Sequence, residues 1–325
     1  MKLAKGDDPT EVARPEALRL APAERVEQKA KPVKLLKSDS VEDAAVCVFS
    51  AALDHFEANI PVFLGAQSAE SVHQMRVALR RLRAAMGLFR GALSGETLET
   101  ARDRAQSLGS TLGDARNRDV FHDMLSQGPG PALGGDDPSL RALLDALERR
   151  RAVAYRVARD AVGGKETEVF LADFRKAIAS RDWEPAPGAA DEGSAVDFAR
   201  EALTRLRKRV LKKSKNLAER SPEERHQARI ALKKARYGAE FFESLFDRRA
   251  AADFSATLAK MQDRLGAFND MAMAGRLLDD IDRDGAATLR ASGFVRGWFA
   301  HSAQDAVDHA RKSEKRLREL KPFWE

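Results

Sequence analysis

One cysteine, two tyrosines and three tryptophans are all that this chain of 325 residues holds of those types. A lone Cys47 excludes an internal disulfide framework. It sits in the uncharged run Ala44–Leu53, where a small buried side chain is the simplest reading. That run and Ile60–Ala69 fall short of the ~20 apolar residues that cross a bilayer, so no membrane association is expected. The first residues lack the apolar block of a secretory signal. The expectation is a soluble cytoplasmic protein. Alternating β-branched runs are absent, whereas Ala, Leu, Arg and Glu abound, which favours helix throughout. No Gly-x-x-x-x-Gly-Lys-[Ser/Thr] loop occurs, which leaves phosphoryl transfer without its usual cradle.

A further shortage is local. Residues 71–90 contain five arginines and no acid. Residues 200–220 hold nine Lys/Arg against two Glu, and residues 224–240 hold five against two. These three segments carry more positive charge than the whole chain, whose net charge is +6. The rest of the chain is therefore acidic, and the cations are gathered.

Two of the basic segments are near-copies. His73-Gln74-Met75-Arg76-Val77-Ala78-Leu79-Arg80-Arg81-Leu82-Arg83 recurs as His226-Gln227-Ala228-Arg229-Ile230-Ala231-Leu232-Lys233-Lys234-Ala235-Arg236, 153 residues later. At the same offset Ser68 aligns with Ser221, and Leu112-Gly113 with Leu265-Gly266. A period this long means two copies of one helical unit rather than a solenoid. The predicted helices span about 40–67, 69–92, 96–127, 139–162 and 166–180 in the first half. In the second they span about 195–219, 222–247, 250–282 and 285–320, with a Gly/Pro loop over 127–138. The predicted division is a mobile tail over 1–38, a first bundle over 39–182, a linker over 183–194 and a second bundle over 195–325.

Ser221-Pro222-Glu223-Glu224 reads as a capping box with proline at the first helical position. At 100° per residue, Met75, Ala78, Leu79, Leu82, Met86 and Phe89 share one face and form core. His73, Arg76, Arg80 and Arg83 share the opposite face, with Arg81 at its edge. The second copy repeats this with His226, Arg229, Lys233, Arg236 and Lys234. Arg205, Lys208, Arg209 and Lys212 add a third basic stripe at i, i+3, i+4 and i+7. Like charges at this spacing repel by a few tenths of a kcal/mol per pair, so cations without acids point to an arriving polyanion. Arginine offers a planar fork to phosphate oxygens and lysine a mobile point charge.

These residues resemble the CHAD family, named for a conserved histidine in an all-α domain. The resemblance rests on the His-x-x-Arg core in both halves and on Leu112-Gly113 through Arg116-Asn117-Arg118-Asp119. Leu265-Gly266 through Asn269-Asp270 and the terminal Lys321-Pro322-Phe323-Trp324 complete it, so that it covers roughly residues 40–325. It implies an all-α fold of two pseudo-symmetric four-helix bundles around a central basic channel. It also implies binding of inorganic polyphosphate, association with polyphosphate granules, and ligand contacts from His73, Arg76, Arg80, Arg83, His226, Arg229, Lys233 and Arg236. Arg81, Arg116, Arg205, Lys208, Arg209, Lys212 and Lys234 complete the candidate set. Some relatives carry a β-tunnel triphosphate domain marked by Glu-x-Glu-x-Lys. The nearest approach here, Glu166-Thr167-Glu168, lacks the lysine.

Binding without catalysis is the expectation, with no cofactor and no metal. A zinc site needs three or four ligands, whereas His73 and His226 stand among cations. His55, His122, His301 and His309 read as core or surface residues. Asp114, Asp119 and Asp270 read as caps or salt-bridge partners. Two alternatives stay open. Nucleic acid offers the same phosphates but is disfavoured, because base stacking needs aromatics and Tyr237 is the lone candidate on the basic faces. The other is a phosphate-metabolism scaffold that docks protein partners through the Pro-rich tail.

Overall fold

The computed structural model describes residues 26–66, 68–187 and 193–325, without the side chains of residues 218, 267–269 and 302–313. Ten α-helices make up the described chain: α1 (Val41–Ala66), α2 (Ala69–Phe89), α3 (Glu96–Gln127), α4 (Pro129–Leu133), α5 (Pro138–Gly163), α6 (Lys165–Ser180), α7 (Ala195–Lys213), α8 (Pro222–Phe242), α9 (Arg248–Asp282) and α10 (Leu289–Glu319). The all-α expectation holds. A two-residue antiparallel pairing of Leu93–Ser94 with Glu184–Pro185 is the one sheet among the described residues.

Helix starts follow their caps. Ser68 accepts from the Ser71 N–H at 3.0 Å to open α2. Ser221 accepts from Glu224 N–H at 3.2 Å, and the Glu224 carboxylate accepts from Ser221 N–H at 3.0 Å, closing the capping box of α8. The two helices are 21 residues each and start and stop 153 residues apart. Asp137 caps α5 behind Pro138, so the Gly/Pro loop is shorter than its composition suggests and encloses α4.

The duplicated helices pair as α1 with α7, α2 with α8, α3 with α9 and α5 with α10, and each packs against its own mate. That is the signature of a pseudo-two-fold axis running between the copies. Phe89 and Phe242 are mates under the same offset, and their rings stand 6.2 Å apart. Phe198 stacks on Phe89 at 5.1 Å, and Phe49 meets Phe89 at 5.6 Å. One apolar cluster therefore runs from α1 through α9 across both halves. A smaller second one joins the ends of α3 and α9 to the starts of α5 and α10. α6 has no mate in the second half among the described residues.

The expected mobile tail is corrected in part. Residues 1–25 of it lie outside the described residues. Residues 26–38 do not stand free: Val33 and Leu35 are buried, and the Leu35 N–H donates to Ser244 Oγ at 2.8 Å. The Gln28 N–H donates to Asn59 Oδ1, and His55 Nε2 and Asn59 Nδ2 donate to the Gln28 carbonyl. Isolated apolar residues between prolines and lysines show no periodicity, yet they suffice to anchor a strap. Of the expected linker, Trp183 is buried against Phe49 and residues 188–192 lie outside the described residues. At the other end of the chain, Phe323 and Trp324 pack on Phe254, and Trp324 Nε1 donates to Thr204 Oγ1 at 2.9 Å.

Candidate functional site

The core face of α2 falls as expected: Met75, Ala78, Leu79, Leu82, Met86 and Phe89 are all buried. Burial of this face fixes the rotation of the helix, which turns His73, Arg76 and Arg80 to the other side. The equivalent burial of Ala228, Ala231, Leu232 and Ala235 fixes α8. Because α2 and α8 pack on each other, their basic faces share one region.

The charges in that region act on one another. Lys233 is pushed down to about 7, first by burial and then by Arg229, Arg80 and Arg76, with Asp270 opposing. Arg76 is lowered to about 10 by burial, Arg80 and Arg116. Burial lowers Arg229 as well, with Asp270 pulling it back up and Arg80 adding to the depression. His73 is lowered by burial and by Arg116. Six of the candidate residues thus converge from both halves: His73, Arg76, Arg80, Arg116, Arg229 and Lys233. Arg76, Arg80, Arg116, Arg229 and Lys233 have no salt bridge within 4.0 Å among the described residues, unlike Arg81, Arg151, Arg205 and Arg236. The Nε–H groups of Arg76 and Arg229 are shielded from solvent without an acceptor.

The repeated Leu-Gly signature gains a physical meaning here. A Cβ at Gly113 would overlap Arg76 Nη1, which donates to the Gly109 carbonyl at 2.7 Å. Glycine leaves the space in which the guanidinium lies flat against α3. In the second copy Arg229 Nη2 stands 3.9 Å from where a Gly266 Cβ would be.

Three candidates are taken out of the free set. Arg81 is turned inward, its side chain 7% exposed, bonded to Glu240 and lying under the Phe241 ring at 5.0 Å. It ties α2 to α8 and does not face a ligand, because Glu240 neutralises it in place. Arg236 bonds the same carboxylate at 2.9 Å and lies over the Tyr237 ring. Arg205 pairs with Glu201 at 3.3 Å. Arg83 and Lys234 belong to a second cluster, in which Arg102 is common to both and Arg209 acts on Lys234. Lys208 and Lys212 are exposed on α7, and His226 is exposed on α8. Sequence reasoning missed Arg102, which follows no repeat, and the Gly109 carbonyl.

Tyr237 is buried, with its hydroxyl accepting from Arg80 Nε at 3.4 Å, so its ring is closed to a base. Asp119 is buried and saturated: Arg151 Nε donates to Oδ1 at 2.7 Å and the Tyr155 hydroxyl to Oδ2 at 2.8 Å. His55 is buried, His122 and His301 are exposed, and the side chain of His309 lies outside the described residues. Glu166-Thr167-Glu168 forms the first turn of α6. Among the described residues no group of three or more His, Cys, Asp or Glu could hold a metal, and no helix is long and apolar enough to cross a membrane.

The CHAD domain model matches residues 47–279. The chain belongs to the CHAD domain family. The crystal structure of the CHAD domain from the plant Ricinus communis is similar at 26% identity and a TM-score of 0.76, covering 91% of this chain and 98% of that one. PptA from Streptomyces chartreusis has the same fold at 19% identity and a TM-score of 0.64, covering 86% of this chain and 100% of that one. No curated protein matches. In this CHAD domain the two His-x-x-Arg helices are α2 and α8, and His73, Arg76, Arg229 and Lys233 of the repeated pattern come together between them.

Proposed function

We propose that this CHAD domain binds inorganic polyphosphate along a lane between α2 and α8, without turning it over, and that it associates with polyphosphate granules. Membership of the family points to a polyphosphate-related function. One observation carries the finer reading. Cations from both copies gather around a half-buried Lys233, which burial first and then Arg229, Arg80 and Arg76 push down to about 7, and no carboxylate among the described residues forms a salt bridge with it. Such crowding is unfavourable in the free protein. A chain of phosphates relieves it, because each oxygen brings the charge and the acceptor that the guanidinium forks lack. His73, Arg76, Arg80, Arg116, Arg229 and Lys233 form the grip. Lys208 and Lys212 extend the positive field outward, and exposed His226 stands at the start of α8 as a further donor.

The reading favours phosphates over bases, since the one tyrosine on the basic faces is buried beneath arginines. It favours binding over hydrolysis in that Asp119, the acid nearest the Arg116-Asn117-Arg118 segment in sequence, is consumed by Arg151 and Tyr155. The test is a titration of the chain with polyphosphates of graded length, beside ATP and duplex DNA at equal phosphate concentration. Long polyphosphate binds most tightly, with an affinity that falls steeply with salt through counterion release. Displacement of polyphosphate by DNA, or phosphate release that Asp119→Ala abolishes, overturns the proposal.

A further inference from the structure

The two copies treat one position differently. Glu240 clamps Arg81 and Arg236 with its two carboxylate oxygens. Under the offset of 153, the mates of Arg81 and Arg236 are Lys234 and Arg83, and the mate of Glu240 is Gly87. The pseudo-symmetric site therefore has both cations and lacks the carboxylate. Lys234 has no salt-bridge partner among the described residues, and Arg83 turns to Gln106 Oε1 at 2.8 Å with its Nε–H shielded and unmet.

The neighbouring helix differs in the same sense. Ser40 with Asp43 and Ser194 with Asp197 form matching caps at the starts of α1 and α7, which sets Ala51 and His55 against Arg205 and Arg209. At the closed site His55 is buried and bonded to Gln28 and Gln74. At the other site Arg209 stands at an open groove of about 230 Å³, lined also by Gly87, Leu88, Leu206, Lys234 and Phe241. Arg209, Arg102 and Arg83 all act on the Lys234 ammonium. Of the acids nearby, Glu201 is already paired with Arg205 and Glu99 with Arg102, while Asp103 acts on Arg83 without a salt bridge to it among the described residues.

We infer that this groove is a second anion site, in which the phosphate of a small organic phosphate ester replaces the carboxylate that Glu240 supplies at its mate. A dianion fits better than a carboxylate, because Arg209 adds a permanent cation where the closed site has a buried histidine hydrogen-bonded to Gln28 and Gln74. A compact apolar body fits better than a bare inorganic chain, because Leu88, Leu206 and Phe241 form the floor. The groove is smaller than the ~300–1,000 Å³ of most drug-sized ligand sites, which limits that body to about one ring. The site stands whether or not the central lane takes polyphosphate.

The experiment uses phenyl phosphate, inorganic phosphate and benzoate as probes of the full chain, with binding followed by calorimetry or by phosphorus NMR. Phenyl phosphate binds more tightly than either of the others. Gly87→Glu installs the missing carboxylate, and a Cβ at Gly87 meets nothing within 4 Å, so the branch point is open. It weakens phenyl phosphate by at least about tenfold through self-occupation of the groove, whereas the neutral Gly87→Gln stays within about twofold of wild type. Long-chain polyphosphate affinity stays within about threefold in both variants, since the lane is untouched. Lys234→Met gives the same loss should Gly87→Glu fail to fold. Equal binding of inorganic phosphate or benzoate, equal effects of Glu and Gln at position 87, or a parallel loss of polyphosphate affinity overturns the inference.

Discussion

Lys233 makes polyphosphate binding a proton-linked event. Its ammonium is driven from 10.5 to about 7 by burial and by Arg229, Arg80 and Arg76, with Asp270 as the counterweight. That displacement corresponds to at most about 4–5 kcal/mol at 1.36 kcal/mol per pH decade. In the unfolded chain the lysine holds its proton up to 10.5, and in the free folded protein only to about 7. Between these values the unfolded state binds the extra proton, so the stability of the free protein rises with pH across that window. Affinity runs the other way. Phosphate oxygens beside the guanidiniums restore the charged form, so binding is at full strength below pH 7 and falls as pH rises through it. With one proton linked, the loss approaches tenfold per pH unit, or about two orders of magnitude from pH 6 to pH 9. His73 is likewise held below its ordinary value, by burial first and then by Arg116. The assay is the Kd of a long polyphosphate against pH, with proton uptake measured by calorimetry in buffers of different ionisation enthalpy. Roughly one proton is taken up at pH 8. Lys233→Arg keeps the affinity and flattens the profile. A Kd unchanged from pH 6 to pH 9, with no proton uptake, would refute the reasoning.

Charge reversal on both helices, Arg80→Glu with Lys233→Glu, weakens polyphosphate more than either change alone and reduces the salt dependence of the Kd by about two contacts' worth. Gly113→Ala pushes the Arg76 guanidinium off α3; polyphosphate affinity drops about three- to tenfold while the melting temperature moves little, since helix propensity offsets the lost hydrogen bond. Glu240→Ala leaves Arg81 buried without its partner and costs about 3–5 kcal/mol in denaturant unfolding. Leu82→Ala opens a cavity in the core and costs about 2–5 kcal/mol, with polyphosphate affinity unchanged in the fraction that remains folded.

The helices were legible because local chemistry specifies them. Ser221-Pro222-Glu223-Glu224 marks a start by its own side chains, and the α3 boundaries, 96 and 127, follow from a flanking glycine at each end. The shared basic face was legible too, since burial of Met75, Leu79 and Leu82 leaves the arginines one direction to point. What escaped the sequence depends on residues far apart along the chain. Arg81 sits at the edge of a helical wheel, and only Glu240, 159 residues away, decides that it turns inward. The Leu-Gly signature was visible as a repeat, but its role as a berth for Arg76 needs α2 laid on α3. Val33 and Leu35 look like stray apolar residues until Ser244 of the second half accepts the backbone between them.

Phe89 facing Phe242 has a consequence for how such a chain could arise. A polypeptide with one copy of the unit would present that aromatic surface bare, and the only complementary surface at hand would be its own duplicate on another molecule. Once both copies reside in a single polypeptide, each is released from matching itself, and Glu240 and Gly87 record that release.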